Sequence, residues 1–165
     1  MAPLKSSSLQ LNYLTAHYPQ DFNDAEGELI AQARRNRDHA YAPYSKFHVG
    51  AAVLLENGEI VSGSNQENAA FPSGLCAERV AVFQAGHLYP GVPISAVAIS
   101  AYSTTVDIHE ALFPCGACRQ VMLEYENLHK KPMRLLIDGP DDVITILESA
   151  AALLPFAFNG SFLKG

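Results

Sequence analysis

The chain carries three cysteines, Cys76, Cys115 and Cys118, and each falls where a helix is predicted to begin. Cys115 and Cys118 are three residues apart, so on one helical turn their sulfurs face the same way. A helix start offers unpaired N–H groups and a positive partial charge, which lower a thiol pKa and suit thiolate ligands. Two such starts brought together would present three sulfurs to a single ion. A zinc site that performs chemistry takes three protein ligands and leaves its fourth position to water. Glu78 lies two residues beyond Cys76, in the first turn, where its carboxylate can reach beside such an ion without binding it. There it could take a proton from water and deliver it elsewhere.

Each feature has a plainer reading on its own. A lone C-x-x-C is usually half of a structural zinc site or a redox pair. A structural zinc site needs a fourth protein ligand, which His87 or His109 could supply; a redox pair needs no third cysteine. Glu78 alone would be a solvated helix charge. The combination is more specific: Cys76-Ala77-Glu78, then Pro114-Cys115-Gly116-Ala117-Cys118, is the ligand-x-Glu and Pro-Cys-x-x-Cys arrangement of zinc deaminases.

The elements that must position these groups follow from periodicity. Leu29, Ile30, Ala33, Arg37 and Ala40 form one stripe of a helix spanning 24–41, with Asp24 as N-cap and Pro43 beyond its end. Val49–Leu55 and Ile60–Ser64 read as strands joined by Asn57-Gly58, a strong hairpin signal. A helix over 75–85, with Val80, Val82 and Phe83 near one face, ends before Pro90-Gly91-Val92-Pro93. Ile94–Ala101, Met133–Asp138 and Val143–Leu147 are further strands. Pro114–Tyr125 is a helix with Val121, Met122 and Tyr125 inward, and Ser149 caps a short last helix, Ala150–Leu154. The expectation is an α/β, three-layer α/β/α fold around a five-stranded mixed sheet. Residues 1–20 read as an extension that docks on a catalytic domain of residues 21–165.

Composition narrows the function. The chain has 165 residues, 48% of them apolar, enough for one packed domain. Only 17% are charged, which suggests surface hidden by partner subunits. The net charge of −6 argues against affinity based on neutralising nucleic-acid phosphates. No apolar run is long enough for a bilayer, and the first twenty residues lack the apolar centre of a secretory signal, so a cytoplasmic location is expected.

The sequence resembles the small, homotetrameric cytidine deaminases that act on free nucleosides, from about Leu29 to Phe158. The resemblance is carried by Tyr41-Ala42-Pro43-Tyr44-Ser45-Lys46-Phe47, Asn65-Gln66-Glu67-Asn68-Ala69, Cys76-Ala77-Glu78-Arg79, Pro114-Cys115-Gly116-Ala117-Cys118-Arg119-Gln120 and Leu153-Leu154-Pro155. It implies one Zn²⁺ per subunit on Cys76, Cys115 and Cys118, and Glu78 as the proton shuttle. It further implies substrate contacts at Phe47 (stacking on the pyrimidine), Asn65 and Glu67 (ribose hydroxyl), Ala69, Phe71, Ala77 (backbone N–H to the pyrimidine O2) and Phe158. In such proteins Phe158 matches a ring that closes a neighbouring subunit's pocket. Arg79 would donate to a sulfur and restore acidity that three thiolates take from the metal. The family often has Tyr at the position of Phe71, whose missing hydroxyl would otherwise help hold the 5′-OH, and Phe156 adds an aromatic to the last motif. A nucleoside-like antibiotic such as blasticidin S is an alternative substrate, and a non-catalytic zinc-stabilised interaction domain an alternative role.

Overall fold

The computed structural model describes residues 4–163. Its sheet has six strands in the order β1-β6-β5-β4-β2-β3, where β1 is Leu14–His17, β2 Phe47–Leu55, β3 Ile60–Ser64, β4 Ile94–Ser103, β5 Arg134–Asp138 and β6 Val143–Leu147. β4 and β5 are parallel, and the remaining pairs are antiparallel. Helix α1 (Asp24–Asn36) covers one face of the sheet; α2 (Ala77–Leu88) and α3 (Gly116–His129) cover the other. The three-layer α/β/α expectation therefore holds, with six strands in place of the five expected.

The sixth strand is β1, inside the N-terminal extension. Leu14, Thr15, Ala16 and His17 pair with Ile146, Thr145, Ile144 and Val143 of β6. Ala16, Tyr18 and Phe22 then pack on the α1 side of the core. Tyr18 places its ring 4.6 Å from the Arg34 guanidinium, which also grips Asp138 through two hydrogen bonds, at 2.6 and 2.9 Å. One guanidinium thus ties the extension and α1 to the end of β5.

Alternation along the central strands separates two cores. Ala52 of β2, Ala98 of β4 and Leu136 of β5 meet Leu29, Ile30 and Ala33 of α1. Val53, Val97 and Leu135 face the other way, toward Ala81, Val82 and Ala85 of α2 and Met122 of α3. Gly63 of β3 sets how closely α2 can lie: a Cβ there would stand 2.7 Å from the Ala81 backbone nitrogen. The hairpin between β2 and β3 turns as expected, with Gly58 at φ 87°.

Several boundaries shift. Asn23, not Asp24, caps α1, accepting from the Glu26 N–H, and the helix gives way to a 3₁₀ turn at Arg37–His39. Phe83 is largely exposed, and α2 turns Val82 and Ala81 inward in its place. Ser149 caps the expected short helix, which is a 3₁₀ turn over Ala150–Leu153. No helix among the described residues is long and apolar enough to cross a membrane.

Candidate active site

Cys76 is the N-cap of α2 and Cys115 the N-cap of α3, with Cys118 one turn further along. Both helices present their N-termini to the same place. Cys76 Sγ lies 3.8 Å from Cys115 Sγ, and Cys115 Sγ 3.5 Å from Cys118 Sγ; all three sulfurs fall within 4.8 Å of one another. Two Zn–S bonds of about 2.3 Å at a tetrahedral angle put the sulfurs about 3.8 Å apart. The spacing therefore fits a tetrahedral thiolate metal. Neither His87 nor His109 joins the group among the described residues, so three sulfurs alone make up the group that could hold a metal ion.

The protonation of the cluster points the same way. The Cys118 thiol, then Arg79 and the Cys115 thiol, stabilise the Cys76 thiolate and hold its pKa down at about 5 against the opposing effect of burial. Cys118 moves upward, because its proton bonds the Cys76 sulfur and because it is buried. Sulfurs this close share protons, and those are the protons that a bound divalent cation displaces. Arg79 reaches the cluster from the next turn of α2, with Nη2 3.8 Å from Cys76 Sγ.

Glu78 is 5% exposed, and burial pushes its carboxyl above the usual range. It lines a cavity of about 390 Å³ together with Cys76, Cys115, Phe47, Asn65 and Glu67. Five of the sequence-predicted groups thus share one chamber with the second residue of α2. An adjoining open cavity of about 600 Å³ shares Ser45, Asn65, Glu67 and Cys76 and extends past Tyr44, Phe71 and Leu75. Ala77, fully buried, is the first residue of α2, and its N–H is one of those a helix leaves without an intrahelical partner. Ala69 and Phe158 line neither cavity. Phe71 stands at the rim, 76% exposed, its ring 6.0 Å from that of Tyr44 in a T-shaped pair.

Asn65 and Glu67 are held from behind. Asn65 Oδ1 accepts from the Val49 N–H at 2.8 Å, and its Nδ2 donates to the Phe47 carbonyl at 2.9 Å. The Glu67 carboxylate accepts from the Ser45 hydroxyl and from the backbone N–H groups of Tyr44 and Ser45. The Ser45 hydroxyl, foremost, and those amides hold the Glu67 carboxyl below its ordinary pKa. Sequence reasoning assigned no part to Tyr44, Ser45, Leu112 or Phe113, although the first two lie in a stretch it singled out. A Ser two residues before Phe47 was the available signal.

Residues 24–131 match the family described as the cytidine and deoxycytidylate deaminase zinc-binding region. Among curated relatives, a cytidine deaminase of Sporosarcina psychrophila is 39% identical over 132 residues, 80% of this chain and 90% of that protein. A cytidine deaminase of Halalkalibacterium halodurans is 41% identical over 131 residues, 79% of this chain and 92% of that one. The crystal structure of a cytidine deaminase from Burkholderia pseudomallei superposes with a TM-score of 0.69 at 39% identity, covering 79% of this chain and 97% of that one. With a three-sulfur cluster of metal-binding spacing and a buried glutamate beside it, the chain belongs to the cytidine and deoxycytidylate deaminase family and is a hydrolytic deaminase.

Proposed function

We propose that the protein deaminates cytidine and 2′-deoxycytidine to uridine and 2′-deoxyuridine with release of ammonia, serving pyrimidine salvage in the cytoplasm. The observation that carries this reading is the single chamber lined at once by Glu78, by Cys76 and Cys115 of the sulfur cluster, and by Phe47, Asn65 and Glu67. Cys76, Cys115 and Cys118 would hold one Zn²⁺ per subunit. When bound, the ion supplies Lewis acidity that makes water a nucleophile at neutral pH.

The chain's own residues do the rest. Glu78 takes one proton of the attacking water and gives it to N3 of the pyrimidine; it then takes the proton of the new C4 hydroxyl and gives it to the amine, which leaves as ammonia when the C4–N bond breaks and the C4 carbonyl forms. Its burial removes competing water and strengthens each transfer. Phe47 stacks on the base, and the Ala77 N–H donates to O2. Asn65 and Glu67 grip the ribose hydroxyl, and the Glu67 charge repels a phosphate at that spot. Arg79 donates to the Cys76 sulfur and offsets part of the thiolates' charge.

Residues 21–165 form the catalytic domain in this reading, and residues 1–20 an extension docked through β1. The working state is a homotetramer. Phe156 is 94% exposed; Phe158, whose carbonyl accepts from Gln120 of α3, is 58% exposed, and Phe71 is exposed at the rim. Neighbouring subunits would cover these rings; Phe158 would close a neighbour's pocket, the loop of Phe71 would cross the same interface, and Ala69 would contact substrate. The test is a panel with zinc-containing protein: cytidine, 2′-deoxycytidine, cytidine 5′-monophosphate, single-stranded DNA and blasticidin S, read by ammonia release. Turnover of the two nucleosides far above the others is expected. Preference for the monophosphate, or for blasticidin S, would replace the proposed substrate class.

A further inference from the structure

The C-terminal segment does not simply trail from β6; it is laid back along α3 from the far end of that helix to the end that bears Cys115 and Cys118. Near the helix C-terminus, the Glu126 carboxylate accepts from the N–H groups of Ala150 and Ala151 and from the Ser149 hydroxyl. Two turns earlier, Arg119 Nη1 donates to the Leu153 carbonyl at 3.2 Å. Beside it, Gln120 Nε2 donates to the Phe158 carbonyl at 2.9 Å. Arg119 also donates from Nε to the Pro114 carbonyl at 2.7 Å, immediately before Cys115.

We infer that Arg119 is a positioning residue that couples the Pro114–Cys115 turn to the C-terminal segment bearing Phe158. A planar guanidinium with donors in a fixed fork can hold two carbonyls in one geometry; a lysine ammonium, a single point charge, cannot reproduce that fork. One of the two carbonyls precedes a sulfur of the cluster, and the other precedes the aromatic segment. A shift in either is therefore passed to the other through one rigid group. The consequence is that closure of the pocket by the C-terminal segment and the placement of Cys115 are set together.

The kinetic part of this inference rests on the deaminase reading, whereas its structural part does not. The experiment uses the zinc-containing full chain and compares Arg119→Lys and Gln120→Ala with the parent by backbone hydrogen exchange and by kinetics on cytidine. Arg119→Lys should speed exchange roughly tenfold in both 113–117 and 150–158. It should also raise KM for cytidine by about tenfold and hasten zinc loss to a chelator. Gln120→Ala removes only the tie to Phe158, so it should loosen 156–158 and raise KM while sparing 113–117. Loosening of a single segment, or of neither, in Arg119→Lys overturns the coupling, as does an unaltered KM. Loosening of 113–117 in Gln120→Ala overturns it as well, because the segments would then communicate without Arg119. A parent protein that released no ammonia from cytidine would remove the deaminase reading instead, and hydrogen exchange alone would decide the coupling.

Discussion

Glu126 gives the sharpest stability prediction, because its surroundings can be counted. It is 7% exposed and accepts from the N–H groups of Met133 at 2.6 Å, Ala150 at 2.8 Å and Ala151 at 3.0 Å, and from the Ser149 hydroxyl at 3.0 Å. In Glu126→Ala, Ala151 N–H keeps the Ser149 hydroxyl as an acceptor, 3.1 Å away. Met133 and Ala150 are buried residues whose N–H groups would lose this acceptor. Each orphaned buried donor costs about 1–3 kcal/mol, so the substitution should destabilise the protein by about 4 kcal/mol. Glu126→Gln is a different case. Its amide oxygen can occupy the Oε1 position and keep both buried donors, while its NH₂ faces the Ser149 hydroxyl, which can turn to accept. Charge assistance and the Ala151 N–H bond to Oε2 are lost, the Ser149 hydroxyl remaining as that donor's acceptor, about 1 kcal/mol in all. Urea unfolding at fixed protein and zinc concentration measures both, and the Tm should fall by about 8–16 °C for Ala and about 2–4 °C for Gln. An Ala variant within about 1 kcal/mol of the parent, or a Gln variant as damaged as Ala, would refute the hydrogen-bond accounting.

Three further outcomes are expected. Glu78→Gln should keep zinc and fold yet lose roughly 10³-fold in kcat, since it removes a proton carrier used in the transition state; turnover within tenfold of the parent would show that another group carries the proton. Cys115→Ala should lose zinc, by elemental analysis, together with the stability that the metal confers; an active variant with full zinc would remove Cys115 from the ligand set. Phe158→Ala should raise KM for cytidine with zinc content unchanged, and light scattering of the parent should give a mass near four chains; an active monomer whose KM ignores Phe158 would end the shared-pocket reading.

The parts of the fold that were legible in the sequence are those written in short-range spacing. The hairpin at Asn57-Gly58 and the strands Ile60–Ser64 and Val143–Leu147 lie where turn chemistry and alternation put them. The meeting of Cys76 with Cys115 and Cys118 was legible because cysteine count, spacing and helix starts agreed. β1 was not legible. Three of its four residues are exposed and the fourth is only partly covered, so it carries no alternation to read; backbone pairing with β6 and the Tyr18–Arg34 contact define it. The outward turn of Phe83 was hidden for the opposite reason. Adjacent apolar residues on α2 compete for one inner face; Ala81 and Val82 take it, and α2 lies so close to Gly63 that a Cβ there would stand 2.7 Å from the Ala81 nitrogen.

Asn65 and Glu67 show why the proposed ribose end of the chamber was only half legible. A sequence motif names the residues that point at a ligand but not the bonds that aim them. An amide offers two donors and two acceptor lone pairs, and Asn65 commits one of each to the β2 backbone at Phe47 and Val49. One donor and one acceptor remain, the complement of a hydroxyl. Glu67 commits most of its acceptor capacity to Tyr44 and Ser45, so its free lone pair is fixed in direction. Ser45 in turn accepts from the Phe47 N–H at 3.0 Å. The proposed base-stacking ring and the proposed ribose grip are therefore one hydrogen-bonded unit, set before any substrate arrives. Preorganisation of this kind lowers the ordering cost of binding. It also means that Ser45→Ala should raise KM for cytidine while leaving zinc content unchanged, because the hydrogen bonds of Ser45 run to Glu67 and Phe47.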